Sequence, residues 1–335
     1  MVYSLLLWRP PNVRYRQALL SLSRCELLSM LRSLSLDAEI VTESLGRSVF
    51  LTFECRELTK KELSFLSTHS CGELIAERKD SLFRPLYPDS LDLFPEDLPE
   101  LMKYKGKTNP VFTRMMLNTA YALSPFIDRD DPLTILDPMC GRGTTLFCTA
   151  CMGHHSVGID SDQKALKEGM DFFSRYLRES GKKHEIHSFH STVGNGVPGK
   201  QFLYAANRDA WKQHDIRSMT IHAGDTILSD KLLKKSSVHI LVSDLPYGVQ
   251  HAPRQEKEHD RFSLFLPRML PVWKHTMQPG GILALSFNVF TLKKSAVLSA
   301  LNEAGFTPVE EPAFQNLEHP VEQAVLRDVV FARVS

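Results

Sequence analysis

The chain has 335 residues, of which 43% are hydrophobic and 24% are charged, as in a folded globular protein rather than a disordered scaffold. This length can form one large core and one smaller core, so we expect two folded units. The formal net charge of +1 gives no overall support for nucleic-acid binding, which leaves only local lysine clusters such as Lys103, Lys105 and Lys107.

The apolar stretches are too short to span a membrane. A typical one, residues 281–287, is strand-sized, whereas a span needs roughly 20 residues. The N-terminus has no basic region before its apolar run, so we interpret it as the first strand of a cytoplasmic protein. Six scattered cysteines indicate no disulfide framework. Cys148 and Cys151 form a C-x-x-C within a predicted helix, but no second pair completes a zinc site, so we expect no bound metal.

The first part of the chain predicts a small α+β domain over residues 1–82. Its pattern indicates strands at 2–7 and 49–53 and helices at 15–34 and 59–67. Residues 83–100 alternate prolines with acidic residues, which predicts a linker. Because the first 90 or so residues carry none of the motifs described below, we expect this unit to present the substrate and to be removable without loss of cofactor binding.

Residues 101–335 alternate strands and helices in the manner of a doubly wound parallel sheet, so we predict a Rossmann-like α/β domain. Seven strands are predicted, at 133–136, 155–159, 219–222, 238–243, 281–287, 307–310 and 329–334. The stretch 181–214 interrupts the alternation with several glycines and a proline, and predicts a loop-rich insertion. His184, His187 and His190 lie within it at three-residue spacing, which we interpret as solvated side chains.

A glycine loop follows the first strand of this domain. The strand ends in Asp137, and Gly141 and Gly143 precede a helix, so the backbone can approach a ligand closely at a helix N-terminus. Asp160 ends the next strand about twenty residues downstream, a spacing that suits a pair of ribose hydroxyls. The same arrangement would serve a dinucleotide, but Leu146 occupies the position of the third glycine, which argues against a pyrophosphate ligand.

A second motif, Asp-Leu-Pro-Tyr-Gly at 244–248, ends the fourth predicted strand. Together with residues 137–144, it resembles the motifs D-P-x-C-G-x-G-T and [DNS]-x-P-[YF] of class I S-adenosylmethionine (SAM)-dependent methyltransferases that act on exocyclic amines. Residues 101–335 are most similar to the tRNA guanosine-N2 methyltransferases whose catalytic domain follows a THUMP-type RNA-binding region. Residues 103–110 look like the segment that closes over the methionine end of the cofactor. Residues 1–100 match less well, because a complete THUMP arrangement is longer.

The resemblance implies SAM as cofactor, an RNA substrate, most specifically tRNA, and a small zinc-binding activator subunit as a partner. It assigns Asp160 to the ribose hydroxyls, Asp225 to the adenine amine, and Asp137 with the 141–143 backbone to the methionine moiety. The implied cofactor-binding residues are Asp137, Cys140, Gly141, Gly143, Thr144, Asp160, Asp225, Asn109, Phe112 and Thr113, and the implied catalytic residues are Asp244, Pro246 and Tyr247.

The residue types of the second motif suit amine methylation. The lone pair of a base's exocyclic amine is delocalised into the ring, and the Asp244 carboxylate and Leu245 carbonyl can accept its two hydrogens and free that pair. Tyr247 would stack on a base turned out of its helix.

Alternatives remain open at this stage: N6-adenine or N4-cytosine methylation in DNA or RNA, methylation of a glutamine amide, or a non-catalytic SAM- or RNA-binding accessory protein. Asp244 with Leu245 and Gly248 favours guanine, and the intact motif disfavours an accessory role. The sequence does not indicate the oligomeric state.

Overall fold

The computed structural model describes residues 1–10, 13–95, 97–193, 196–245, 258–322 and 325–335. The helices in these residues are α1 Val13–Ser33, α2 Lys60–Ser67, α3 Leu98–Leu101, α4 Pro110–Leu123, α5 Thr144–Cys151, α6 Gln163–Glu179, α7 Arg208–Lys212, α8 Ser229–Leu232, α9 Glu258–Thr276 and α10 Lys294–Glu303. The strands are β1 Val2–Leu7, β2 Ile40–Leu45, β3 Ser48–Glu54, β4 Gly72–Lys79, β5 Leu82–Pro85, β6 Thr134–Asp137, β7 His155–Asp160, β8 His184–His190, β9 Pro198–Tyr204, β10 Arg217–Ala223, β11 Val238–Asp244, β12 Met277–Asn288, β13 Phe306–Pro308, β14 His319–Glu322 and β15 Val325–Val334.

The N-terminal region is a five-stranded sheet in the order β2-β3-β1-β4-β5. Tyr3 and Leu5 of β1 lie in its core with Leu51 and Phe53 of β3. Sequence patterning predicted β1, β3 and both helices, but not β2, β4 and β5. In β2 only the first residue is buried, so this edge strand lacks the apolar alternation by which a strand is recognised.

The second sheet has ten strands, nine of them in the order β13-β15-β12-β11-β6-β7-β10-β9-β8, with β14 paired to β15. Its five central strands, β10, β7, β6, β11 and β12, are parallel, and β15 runs antiparallel to β12. All seven strands predicted for this domain are present, which confirms the Rossmann-like α/β fold. In chain order, β7 and β10 lie on one side of β6, and β11 and β12 lie on the other side. This change of side between β6 and β11 is a switch point, which opens a crevice for ligands at the carboxyl ends of the strands.

The segment 181–214 is not a loop-rich insertion, and that prediction was wrong. Strands β8 and β9 pair antiparallel, and β9 also pairs antiparallel with β10, so the segment extends the sheet. Phe202 and Tyr204 of β9 are fully buried against Phe173 of α6. The glycines and the proline of this segment suggested a loop. The apolar contacts that define the hairpin come from α6 and from Phe94, which lies far away in the sequence.

The two regions share a core. Leu22 and Cys25 of α1 pack with Phe112 of α4 and with residues of the second sheet. Buried Glu26 of α1 accepts hydrogen bonds from the Asn118 side-chain amide (2.7 Å) and the Ser70 backbone amide (2.8 Å). The expectation that the first unit is removable stays a prediction, and the shared core argues against it, because deletion would expose apolar surface of the second core and leave the Asn118 amide without the Glu26 carboxylate.

Both ends of the predicted linker are packed against folded structure. Its first residues belong to β5, which pairs with β4. Phe94 and Leu98 are buried in the core around α5 and α6. The position of the boundary within 83–100 stays a prediction. In the described parts of the chain, no helix is both long enough and apolar enough to cross a membrane.

Candidate active site

The glycine loop joins β6 to α5 at the carboxyl edge of the sheet. Gly141 and Gly143 have φ values of 52° and 95°, a region that residues with a Cβ adopt only with strain. A Cβ built on Gly141 would meet no atom within 4 Å, so this part of the loop faces open space that a ligand can enter. A Cβ on Gly169 of α6 would lie 2.2 Å from the Arg142 carbonyl oxygen, so α6 approaches the loop as closely as glycine allows.

Asp160, at the end of β7, lies beside the glycine loop as predicted. One of its carboxylate oxygens accepts a hydrogen bond from the Gly141 amide at 2.7 Å, and the other accepts one from the Asp162 amide at 2.8 Å. The Cys140 amide donates to the Ile159 carbonyl at 3.1 Å, so backbone contacts tie the loop to β7. Cys140 itself is buried, and burial raises the pKa of its thiol well above the ordinary value, which suits a packing role.

Asp137 is almost completely buried at the end of β6, with 4% of its surface exposed. Burial, and after it the charges of Asp160 and Asp244, raise the pKa of Asp137 to about 7, although hydrogen bonds from Thr145 and Met139 act in the opposite direction. The carboxylates of Asp160 and Asp244, which end the neighbouring strands β7 and β11, therefore both act on Asp137 at this edge. A cationic ligand would relieve their repulsion, and the ammonium and sulfonium groups of SAM fit that requirement.

Asp244 ends β11, the strand next to β6, and three side chains from three segments hold its carboxylate. Oδ1 accepts a hydrogen bond from the Ser286 hydroxyl at 2.7 Å. Oδ2 accepts one from the Thr108 hydroxyl at 2.6 Å and one from an Arg327 guanidinium nitrogen at 3.0 Å. The Arg327 side chain is 4% exposed and that of Asp244 is 17% exposed, so this ion pair is largely shielded from water. The carboxylate is thus held in a defined orientation.

The Arg327 guanidinium is part of a stack of flat groups. Its central carbon lies 5.0 Å from the centre of the Phe112 ring, and that ring lies 4.6 Å from the centre of the His319 ring. Burial lowers the pKa of His319 to about 4, so the histidine is neutral at physiological pH and adds no second cation to the stack. The structure therefore places Phe112, predicted to bind the cofactor, against the arginine that contacts Asp244.

The site has two halves, the glycine loop with Asp137 and Asp160 on one side and Asp244 on the other. The segment before α4 contacts both halves. The Tyr104 hydroxyl lies 3.0 Å from the Thr144 hydroxyl at the start of α5, while Thr108 contacts Asp244. The Asn109 side chain caps α4 by accepting a hydrogen bond from the Val111 amide at 2.9 Å. Thr113 is buried and donates to the Asn109 carbonyl at 3.3 Å. Asn109 and Thr113 thus hold this segment in place, and their role in cofactor binding stays a prediction.

Asp225 is exposed and caps a short 3₁₀ helix by accepting a hydrogen bond from the Ile227 amide at 3.0 Å. Ala223 of β10 is paired with Asp160 of β7, the residue predicted to bind the ribose, so Asp225 lies two residues beyond that pair. Its cofactor role stays a prediction. Pro246, Tyr247 and Gly248 lie outside the described residues.

Sequence reasoning missed Ser286 and Arg327, and it did not connect Thr108 with Asp244. A weak signal existed for two of them. Ser286 is a buried polar residue between Leu285 and Phe287 in β12, and Arg327 is a buried charge in the mostly apolar strand β15. A buried charge in a strand needs a partner, but its identity could not be read from the strand itself.

Comparison with known proteins gave one family and several structures. Residues 112–311, more than half of the chain, match the family model described as UPF0020, RMKL-like, methyltransferase domain. TrmN from Thermus thermophilus is 16% identical with a TM-score of 0.44, over 89% of this chain and 60% of that one, so the chain spans 60% of that protein's length. An rRNA methylase from Streptococcus thermophilus is 14% identical with a TM-score of 0.37, over 68% of this chain and 97% of that one.

A third solved structure is magnesium protoporphyrin IX methyltransferase from Synechocystis with bound SAM. It is 13% identical with a TM-score of 0.40, over 84% of this chain and all (100%) of that one. The comparison with curated proteins gave no match. The family match covers the strands that carry the glycine loop, Asp160 and Asp244. The chain therefore belongs to the UPF0020 family of RMKL-like methyltransferase domains.

Proposed function

We propose that this enzyme transfers the methyl group of SAM to the exocyclic amine of a nucleobase in RNA, specifically to N2 of guanosine in tRNA. The observation that supports it most is the Asp244 carboxylate. It ends the strand beside the glycine loop, and Ser286, Thr108 and Arg327 hold both of its oxygens. A hydrogen-bond acceptor in a fixed orientation beside a cofactor site is what methylation of a weakly nucleophilic amine requires.

The glycine-loop half of the site would hold the cofactor. Asp137 and the 141–143 backbone would bind the methionine end, Asp160 the ribose hydroxyls and Asp225 the adenine amine. The buried Asp137, with its raised pKa, gains a favourable partner when an ammonium group binds beside it. SAM supplies the activated methyl group, so the protein's task is to orient the acceptor.

The Asp244 half would hold the acceptor. The carboxylate of Asp244 and the carbonyl of Leu245 would accept the two hydrogens of the amine, draw its nitrogen towards a tetrahedral geometry and direct its lone pair at the methyl group. Asp244 would then take the released proton. Tyr247 would stack on the flipped base, and Pro246 would shape the turn that presents both residues.

The choice of guanosine and of RNA rests on the resemblance of residues 101–335 to tRNA guanosine-N2 methyltransferases, and on Asp244 with its neighbours Leu245 and Gly248. The same resemblance extends to a small zinc-binding activator subunit as a partner.

All six cysteines are free thiols, which supports our assignment to the reducing cytoplasm.

The test is incubation of the full-length protein with labelled SAM and separate pools of tRNA, ribosomal RNA, small nuclear RNA and DNA, followed by nucleoside mass spectrometry. We expect N2-methylguanosine in the tRNA pool. Label in N6-methyladenosine or N4-methylcytosine would contradict the guanosine assignment. Label in DNA alone would contradict the RNA assignment.

A further inference from the structure

A cleft of about 700 Å³ lies between the N-terminal sheet and the segment that leads into α4. One wall is formed by Trp8, which follows β1, and by residues 70–73 before and within β4. The opposite wall includes Lys103, Tyr104 and Lys107. This volume is within the range of small-molecule sites and can admit a nucleotide.

The cleft is continuous with the active site through residues that belong to both. Tyr104 lines the cleft and contacts Thr144 at the glycine loop, at 3.0 Å between hydroxyls. Thr108 lines it and donates to Asp244 at 2.6 Å. Lys107 precedes Thr108, and consecutive Cα atoms are about 3.8 Å apart. A chain that places one base at Asp244 therefore has its backbone within reach of Lys107.

Two lysines, Lys103 and Lys107, and two acidic residues, Glu73 and Glu100, line the cleft, and the lysines are the groups that an anion would contact. The side chain of Lys107 is only 11% exposed, and its ammonium lies 3.8 Å from the Glu100 carboxylate, at the outer limit of an ion pair. Its ammonium also donates to the Glu100 backbone carbonyl at 3.4 Å. Burial lowers the pKa of Lys107, although Glu100 acts in the opposite direction. The Glu100 side chain is 54% exposed, so solvent screens its charge. A phosphate in the cleft would give Lys107 a second anionic partner.

Trp8 supplies the aromatic surface of the cleft. On the other wall, the face of Tyr104 is already covered by the Arg142 guanidinium, 4.6 Å from the centre of its ring. An aromatic face opposite lysines is the combination by which proteins hold single-stranded nucleic acid, with the base stacked and the backbone neutralised.

We propose that this cleft binds the nucleotide next to the target nucleotide in the RNA chain. Its phosphodiester group contacts Lys103 and Lys107, and its base stacks on Trp8. This inference rests on the proposed function, since it takes an RNA base as the methyl acceptor. It adds the requirement that the RNA be unpaired at the target and at one neighbouring position, because a base can stack on Trp8 only when it is not stacked and paired within a duplex.

The test compares Lys103→Glu, Trp8→Ala and the control Lys60→Glu, which reverses an exposed charge on α2 away from the cleft. Affinity for a short fluorescein-labelled single-stranded RNA is measured by anisotropy at several salt concentrations, and affinity for SAM is measured by calorimetry. We expect Lys103→Glu and Trp8→Ala each to weaken RNA binding about tenfold and Lys60→Glu less than about twofold, with the SAM affinity of Trp8→Ala and Lys60→Glu unchanged. For Lys103→Glu, the slope of log affinity against log salt should fall by about 0.7, the value for one phosphate contact on a single strand.

Trp8→Phe retains a ring and should bind RNA nearly as the wild type does, which separates stacking from a defect in folding. If the enzyme methylates RNA while Lys103→Glu and Trp8→Ala bind RNA as tightly as Lys60→Glu, the cleft assignment is wrong and the proposed function stands. If the wild type neither binds nor methylates any RNA, both are wrong. Equal affinity of the wild type for single-stranded and fully paired RNA also contradicts the cleft assignment.

Discussion

The two halves of the active site hold their acidic residues by different means. On the glycine-loop side, Asp160 accepts hydrogen bonds from backbone amides 19 and 2 residues away. Asp137 accepts one from an amide 2 residues away and one from the nearby Thr145 side chain. On the other side, Asp244 is held by side chains that are 136, 42 and 83 residues away in the sequence. The first half is built by local chain geometry, and the second by the packing of distant segments.

In the proposed function, this difference separates binding of the cofactor from positioning of the acceptor. A site made mainly of backbone amides tolerates most side-chain changes outside its glycines and acids. A carboxylate held by three side chains depends on each of them, because each removes part of its rotational freedom. We therefore expect substitutions around Asp244 to reduce turnover at constant SAM affinity, and substitutions around Asp160 and Asp137 to change SAM affinity.

Replacement of Asp244 should have the largest effect. Asp244→Ala removes the acceptor at the reacting nitrogen, so turnover should fall about a hundredfold or more, the scale of one positioned acid–base group. Affinity for SAM should change less than about threefold, as measured by calorimetry alongside single-turnover kinetics. Asp244→Asn retains the shape and serves as the matched control for packing. Near wild-type methylation by Asp244→Ala would remove the basis for the proposed chemistry.

Arg327 should have the next largest effect, because it acts through Asp244. Arg327→Lys preserves the charge but loses the planar fork, and we expect kcat to fall about thirtyfold, in the range of one lost charge-assisted hydrogen bond. The control is Arg333→Ala on the same strand, whose exposed guanidinium donates to the Leu123 carbonyl at 2.8 Å. A parallel loss of SAM affinity and turnover in Arg327→Lys would indicate a general structural role instead.

Asp160→Ala tests the cofactor half. A carboxylate that binds two ribose hydroxyls makes charge-assisted hydrogen bonds of roughly 1.5 to 3 kcal/mol each, so SAM should bind at least tenfold more weakly. Turnover at saturating SAM should fall far less than in Asp244→Ala. The measurement is calorimetry on a folded variant, and an unchanged affinity for SAM would falsify the assignment of Asp160 to the ribose.

Asp137 should give the smallest effect, visible as a pH dependence. Its pKa is raised to about 7, and only its ionised form attracts the ammonium of SAM, so affinity should rise with pH through that value. Between about pH 6 and about pH 7 the ionised fraction grows roughly fivefold, and SAM affinity should follow it. Asp137→Asn should bind SAM more weakly and lose this part of the pH dependence. A wild-type affinity that is flat over this range would contradict the assignment.

The sequence by itself determined the parts of this protein that depend on neighbouring residues. A strand followed by Asp137, two glycines and a helix predicts a ligand-binding turn, because strand periodicity and glycine conformation are local properties. Asp160 could be placed beside it, since consecutive strands of a parallel sheet end at the same edge. The position of Asp244 at a strand end followed from the same reasoning, and so did the α/β fold.

Only the tertiary structure decided which side chains surround Asp244. Ser286 is paired with Asp244 in the register between β11 and β12, and Arg327 is paired with Asn288 in the register between β12 and β15. These registers depend on the order of strands in the sheet and on the cores that fix it, which no local pattern encodes. For the same reason the β8–β9 hairpin was predicted to be a loop, and the packing of α1 against α4 and the second sheet was not predicted, since their apolar partners lie far away in the chain.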